Sequence, residues 1–171
     1  MNRDGFTLME VMVVIVIIGT LAALAIPYYR KSMETSRAND ALTLSVMIAN
    51  ANKMYKLDRG VWASGQITNS CNTGTCDNTI ISPPSQNKSL LPTDACNLIR
   101  CAYVSSHNWD SSKYYFYSCN PDSGAGGGCC AINRVACAKL KANAGYGLWE
   151  YDIDPTGACS NVNGAPSCPN F

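Results

Sequence analysis

The sequence predicts an α+β fold: a long N-terminal helix, apolar in its first half and amphipathic in its second, packed on an antiparallel β-sheet in a disulfide-rich head. Three observations lead there. Residues Val11 to Tyr29 carry no charge, apolar positions then recur at helical spacing as far as Tyr55, and all ten cysteines fall between Cys71 and Cys168 among short aromatic-rich and β-branched runs. A chain of 171 residues that commits its start to one apolar element has room for a single modest head.

The apolar element comes first. Nineteen uncharged residues, at about 1.5 Å of rise each, cover most of a bilayer's hydrocarbon thickness. The core is followed by "AIPYYRKSMETSR", which reads as a helix continuing into water and not as the small-residue cleavage site of a secretory signal. Arg3 ahead of the span orients it with its N-terminus inside. Glu10 is the anomaly. A carboxylate at the end of a lipid-embedded helix is expensive unless a cation pairs with it, and spacing alone leaves two readings, a functional pair or an ordinary charge at headgroup level.

Beyond the span, Met33, Arg37, Ala41, Leu44, Ile48, Ala51 and Tyr55 form one stripe of an amphipathic helix that ends by Gly60 and should pack on a sheet. Strands are expected at Leu98–Ser105, Tyr114–Cys119 and Leu148–Ile153. "INRVACAKLKANAG" is expected to form a short helix, with Ile132, Val135 and Leu140 on one side and Gly145 as its stop. "TNSCNTGTCDNTIISPPSQNKS" reads as a surface loop fastened by Cys71 and Cys76.

An even cysteine count confined to the polar two-thirds argues for disulfides and an oxidising compartment. Nearness favours Cys71–Cys76, Cys96–Cys101 and Cys159–Cys168. Cys119, Cys129, Cys130 and Cys137 would share two more bridges, the vicinal pair reaching in two directions because bonding adjacent cysteines strains the ring. Zinc would need paired Cys or His at short spacing, and His107 is the sole histidine, so no metal is expected. Thirteen basic against twelve acidic residues leave no broad basic surface to recruit nucleic acid. "SGAGGGCC" lacks the Lys-Ser/Thr of a phosphate loop and reads as a turn; Glu150, Asp152 and Asp154 alternate and read as a solvated carboxylate face. No nucleophile–base–orienter constellation is visible, so neither enzyme activity nor a cofactor is expected.

"GFTLMEVMVVIVIIGTLAALAIP" resembles the N-terminus of type IV prepilins and the related pseudopilins of type II secretion, whose motif is Gly, Phe, Thr, Leu, any residue, Glu, then an apolar stretch. The match is close from Gly5 to Pro27 and looser to about Gly60. The resemblance implies a leader over residues 1–5, a transmembrane and assembly helix over 6–29, its amphipathic continuation over 30–60 and a variable head over 61–171. It implies cleavage between Gly5 and Phe6 by a prepilin peptidase, which methylates the new N-terminus. It further implies that Glu10 neutralises the Phe6 amine of a neighbouring copy during assembly. Two unit charges about 4 Å apart attract by roughly 4 kcal/mol at an effective dielectric near 20. Gly19 and Pro27 stand where the family carries helix-weakening residues, proline lacking an N–H and crowding the preceding turn.

The expected role is therefore that of a structural pilus subunit. It would sit in the inner membrane as a single-pass precursor with its head outside the cytoplasm, then be polymerised by the inner-membrane assembly machinery into an extracellular homopolymeric helical fibre. Two alternatives stand beside it. A type II secretion pseudopilin is favoured by "MYKLDRGVW" and disfavoured by the cysteine-rich head ending in "GACSNVNGAPSCPNF"; a minor pilin would act as a tip binding module for adhesion or DNA uptake.

Overall fold

The computed structural model describes residues 7–77, 93–142 and 147–168. The chain forms two compact units, Met1–Arg37 and Ala38–Phe171. Helix α1 spans Leu8–Arg59. It ends where the sequence predicts: Gly60, at φ +76°, adopts the left-handed conformation that closes a helix, and its carbonyl accepts from Lys56 Nζ at 2.8 Å. The helix continues through Pro27, so the expected loosening there is not accompanied by a break.

In the second unit five strands form an antiparallel meander in chain order: β1 Gly65–Ile67, β2 Tyr114–Ser118, β3 Ala136–Leu140, β4 Glu150–Ile153 and β5 Cys159–Val162. Strand alternation sorts the side chains. The inner face carries Ile67, Phe116, Ala138 and Tyr151 in one cross-strand row, with Ser118, Ala136 and Ile153 in the next. The other face carries Tyr117, Cys137, Asp152 and Ser160 in one row, with Tyr115, Lys139, Glu150 and Val162 beside it.

Ala38, Ala41, Leu42, Ser45, Ile48, Ala49, Ala51, Asn52 and Tyr55 are the buried residues of α1 in this unit, most of them recurring at spacings of three and four. Of the predicted stripe, Ala41, Ile48, Ala51 and Tyr55 are buried, Leu44 is half-buried and Met33 is exposed. The core also contains Trp109, Phe116 and Tyr151. A reading that scores hydrophobicity passes over Asn52, yet it organises the head. Its Nδ2 donates to the carbonyls of Cys119 (2.9 Å) and Val135 (3.1 Å), and its Oδ1 accepts from the Ala63 amide (2.9 Å). Ser118 Oγ then donates to the Ala63 carbonyl at 2.7 Å. One fully buried amide side chain thus joins α1, the segment after it and the β2–β3 end of the sheet.

Three sequence expectations are corrected. Leu98–Ser105 is not a strand: Asn97–Arg100 is a short helix, α2. Asp94 starts the turn by accepting the Cys96 amide on Oδ1 at 3.0 Å, and the adjacent Leu98 and Ile99 are both buried, as one-sided strand packing would not allow. "INRVACAKLKANAG" supplies β3 and not a helix, because Ala136 and Ala138 face the core between β2 and β4 and tertiary pairing overrides alanine's helix propensity. Gly145 lies outside the described residues.

The third correction concerns the local bridges. Cys71 bonds Cys96 and Cys76 bonds Cys101, each across 25 positions. A single turn of 3₁₀ helix at Asn69–Asn72 packs beside α2, so two four-residue spacings face one another and pair across, not within. Cys159 bonds Cys168, Cys119 bonds Cys130, and Cys129 bonds Cys137.

Candidate assembly segment and disulfide site

Within the first unit, the start of α1 explains Glu10 locally. Thr7 and Glu10 form a capping box: Glu10 Oε2 accepts from the Thr7 amide (3.0 Å) and from Thr7 Oγ1 (2.8 Å), while the Glu10 amide donates back to Thr7 Oγ1 (3.3 Å). The Thr-x-x-Glu spacing ahead of an apolar run was the sequence signal for it. Both of the bonds that Glu10 accepts use Oε2, so among the described residues the second carboxylate oxygen is left for a further partner. Glu10 therefore closes the open end of the helix and holds a negative charge against the positive end of its dipole.

On either side of it, Leu8, Met9, Val11 to Ile18, Leu21, Leu24 and Ile26 are all exposed, and a side chain added at Gly19 would meet nothing within 4 Å. Among the described residues this is the one helix long and apolar enough to cross a membrane. Gly5 and Phe6 lie outside the described residues.

The head's second cluster of chemistry covers the sheet face turned away from α1. The loop after β2 folds back over Tyr117, and the Cys119–Cys130 and Cys129–Cys137 bridges bury three of their four sulfur-bearing residues there, Cys130 being half-buried. Two glycines make that approach feasible. A Cβ on Gly128 (φ +60°) would enter the Tyr117 ring, and one on Gly126 (φ +137°) would lie 2.6 Å from Cys130 Sγ and from the Ser118 carbonyl. The glycine-rich stretch is thus a lid fitted over aromatic and sulfur atoms.

Asp152 sits under the same lid, 2% exposed, so the expected solvated carboxylate face does not exist. Its Oδ2 pairs with Arg134 at 2.9 Å, and its Oδ1 has no hydrogen-bond partner among the described residues. Burial pushes its carboxyl up to about 6, against the pull of the Arg134 guanidinium and with the push of neighbouring Glu150. Asp154 lies beyond β4 and closes its own turn, accepting from Thr156 Oγ1 (2.6 Å) and the Ala158 amide (2.9 Å). Cys119, Cys130 and Cys137, and likewise Cys129, Cys137 and Asp152, bring ligand-type atoms within 4.8 Å of one another, but every sulfur there is disulfide-bonded. His107 packs edge-on against Trp109 at 5.3 Å, with no catalytic partner among the described residues.

An exposed, capped apolar helix leading into a disulfide-bonded α+β head defines a class of chain: one whose N-terminal helix is left unburied by its own fold. Comparison with known proteins finds similarity at the same end of the chain. The Prokaryotic N-terminal methylation motif matches residues 1–26. Type II secretion system core protein G of Vibrio cholerae is 47% identical over 61 residues, 36% of this chain and 42% of that protein. The fimbrial protein EcpC of Eikenella corrodens is 43% identical over 60 residues, 35% of this chain and 39% of that protein. The type IV major pilin protein PilE of Neisseria gonorrhoeae is 40% identical over 60 residues, 35% of this chain and 36% of that protein. Over its N-terminal third the chain is similar to type IV pilins and pseudopilins alike, and the matched segment spans about two-fifths of these relatives' length. No solved structure matches.

Proposed function

We propose that the chain is the structural subunit of a type IV pilus. The precursor is held in the inner membrane by its N-terminal helix, with the head outside the cytoplasm. Prepilin peptidase cuts between Gly5 and Phe6 and methylates Phe6, and the assembly machinery then polymerises the product into an extracellular fibre. The observation that carries this reading is the exposed apolar surface of α1 beginning directly after the Thr7–Glu10 box. In the fibre, helix-to-helix packing replaces lipid contact, dispersion and shape supplying the attraction. Glu10 there faces the methylated amine of a neighbouring Phe6, and Gly19 and Pro27 let the helix adjust as subunits stack.

Glu10→Gln is the discriminating variant, because glutamine preserves a capping box and removes the charge. It should insert and be cleaved like the parent yet assemble into few fibres. Fibre yield equal to the parent's would reduce Glu10 to a helix cap. Mass spectrometry of assembled protein should find residues 1–5 missing and a methyl group on Phe6; an intact Met1 in extracellular fibres would overturn the assignment.

A second reading, a pseudopilin of type II secretion, is favoured by the 47% identity to a secretion core protein over 61 residues. Electron microscopy of cells with and without the gene separates the two. Long surface fibres that vanish on deletion support the pilus subunit, and loss of protein secretion with no change in fibres supports the pseudopilin.

A further inference from the structure

The vicinal cysteines of the lid lie in a geometry that disulfides serving only as staples do not need. Cys119 and Cys137 belong to different bridges, yet their side chains share one face of the sheet and their sulfurs lie 3.9 Å apart. The sulfurs of Cys119, Cys130 and Cys137 all fall within 4.8 Å of one another. Of the four residues only Cys130 is half-buried; Cys119, Cys129 and Cys137 are buried, at 0%, 7% and 0% exposure. Within this cluster a reagent arriving from solvent meets Cys130 first.

We propose that this cluster is a thiol–disulfide exchange site whose substrate class is a dithiol, with Cys130 as the point of entry and Cys119 as the internal relay to Cys137. A thiolate of the dithiol attacks Cys130 Sγ, forming a mixed disulfide and releasing Cys119 as a thiolate. Cys119 attacks Cys137 Sγ, so that a Cys119–Cys137 bond forms, the Cys129–Cys137 bond breaks and Cys129 departs as a thiolate. The dithiol's second thiolate attacks its own sulfur in the mixed disulfide, closes to a cyclic disulfide and releases Cys130. Protons lost by the dithiol are balanced by those taken up at Cys129 and Cys130. In net terms the dithiol is oxidised by two electrons and the protein is reduced by two, keeping one bridge, Cys119–Cys137, beside two adjacent thiols.

Two features favour that product. A bridge between adjacent Cys129 and Cys130 would close a strained small ring, so the pair rests as thiols. Asp152 has its carboxylate within 4.8 Å of the Cys129 and Cys137 sulfurs, and its buried Oδ1 is without a hydrogen-bond donor among the described residues in the oxidised form. The new Cys129 S–H supplies such a donor. The sheet itself need not open, because the exchanged bridge joins the end of β2 to β3, which are already paired.

The test is titration of the full chain, oxidised and in detergent micelles, with dithiothreitol at neutral pH, followed by acid quench, alkylation and peptide mapping. The first reduced species should carry label on Cys129 and Cys130, a Cys119–Cys137 cross-link and the other three bridges intact. Label on Cys119 and Cys130 with Cys129–Cys137 still closed would overturn the relay. First opening at Cys71–Cys96, Cys76–Cys101 or Cys159–Cys168 would overturn the site. The Cys129→Ser/Cys130→Ser double variant gives an independent arm: air oxidation should join Cys119 to Cys137, and free thiols at both positions in the folded variant would refute the geometry. Should that variant not fold, the titration of the parent still decides.

Discussion

Asn52→Ala tests whether one polar side chain holds the head together. Removing the carboxamide leaves the Ala63 amide and the Cys119 carbonyl without their partner, while the Val135 carbonyl keeps the Cys119 amide at 2.8 Å. Each orphaned buried group costs about 1–3 kcal/mol, so the variant should lose roughly 3–5 kcal/mol. At about 3 °C per kcal/mol for a domain of this size, that is a fall of roughly 10–15 °C in the unfolding midpoint. The control is Asn50→Ala, an exposed position two residues away on α1, which should change stability by less than about 0.5 kcal/mol. The assay is urea and thermal unfolding of the full chain in detergent with disulfides intact, followed by near-ultraviolet circular dichroism. Amide hydrogen exchange at Ala63 supplies the local readout and should accelerate in the variant. A loss below about 1 kcal/mol, with Ala63 still protected, would show that water or a shifted backbone replaces Asn52 and that the helix-to-sheet junction rests on apolar packing alone.

Three further outcomes follow from the lid and the proposed processing of the N-terminus. The Asp152 carboxyl is raised in the folded state from 3.8 to about 6, so its favourable contribution is fully present below the unfolded value and is lost as pH rises towards 6. The parent should therefore lose up to about 3 kcal/mol of this contribution between pH 4 and 7, and Asp152→Asn should flatten that slope in unfolding measured across the range. Gly128→Ala, which combines a left-handed backbone with entry into the Tyr117 ring, should cost about 2–4 kcal/mol by the same unfolding assay, whereas Gly127→Ala, open on all sides, should cost only its backbone term of about 1–2 kcal/mol. Replacing Gly5 with leucine should leave uncut precursor in the membrane fraction, read by mass on a denaturing gel.

The legible parts of this molecule were those written in local pattern. The apolar run, the end of α1 at Gly60, β2 and β4 all follow from composition and spacing within a dozen residues. The misread parts depend on a partner far away in the chain. Ala136 and Ala138 carry a helix former's side chain, and only the strands on either side show that their smallness serves the helix–sheet interface. Cys71 and Cys76 look like one closed loop until α2 presents Cys96 and Cys101 at the matching separation. A pair of equal spacings is as good a sign of cross-bridging between two turns as of closure within each, and nearness alone cannot rank them.

Polar residues follow a different logic, and Glu10, Asn52 and Asp152 show it at three depths. Only Glu10 stands out in the sequence, yet each of the three completes a hydrogen-bond account that the backbone or a neighbouring charge leaves open. Asn52 completes its account fully and so reads as structure. Among the described residues, Glu10 and Asp152 complete theirs on one oxygen: Oε2 of Glu10 serves Thr7, and Oδ2 of Asp152 serves Arg134. In the two proposals made above, the remaining oxygen is the one left for a neighbouring amine in the first case and for a buried thiol in the second. The unsatisfied half of a carboxylate is thus a better guide to function here than the charge itself, because the satisfied half already explains why the residue is tolerated.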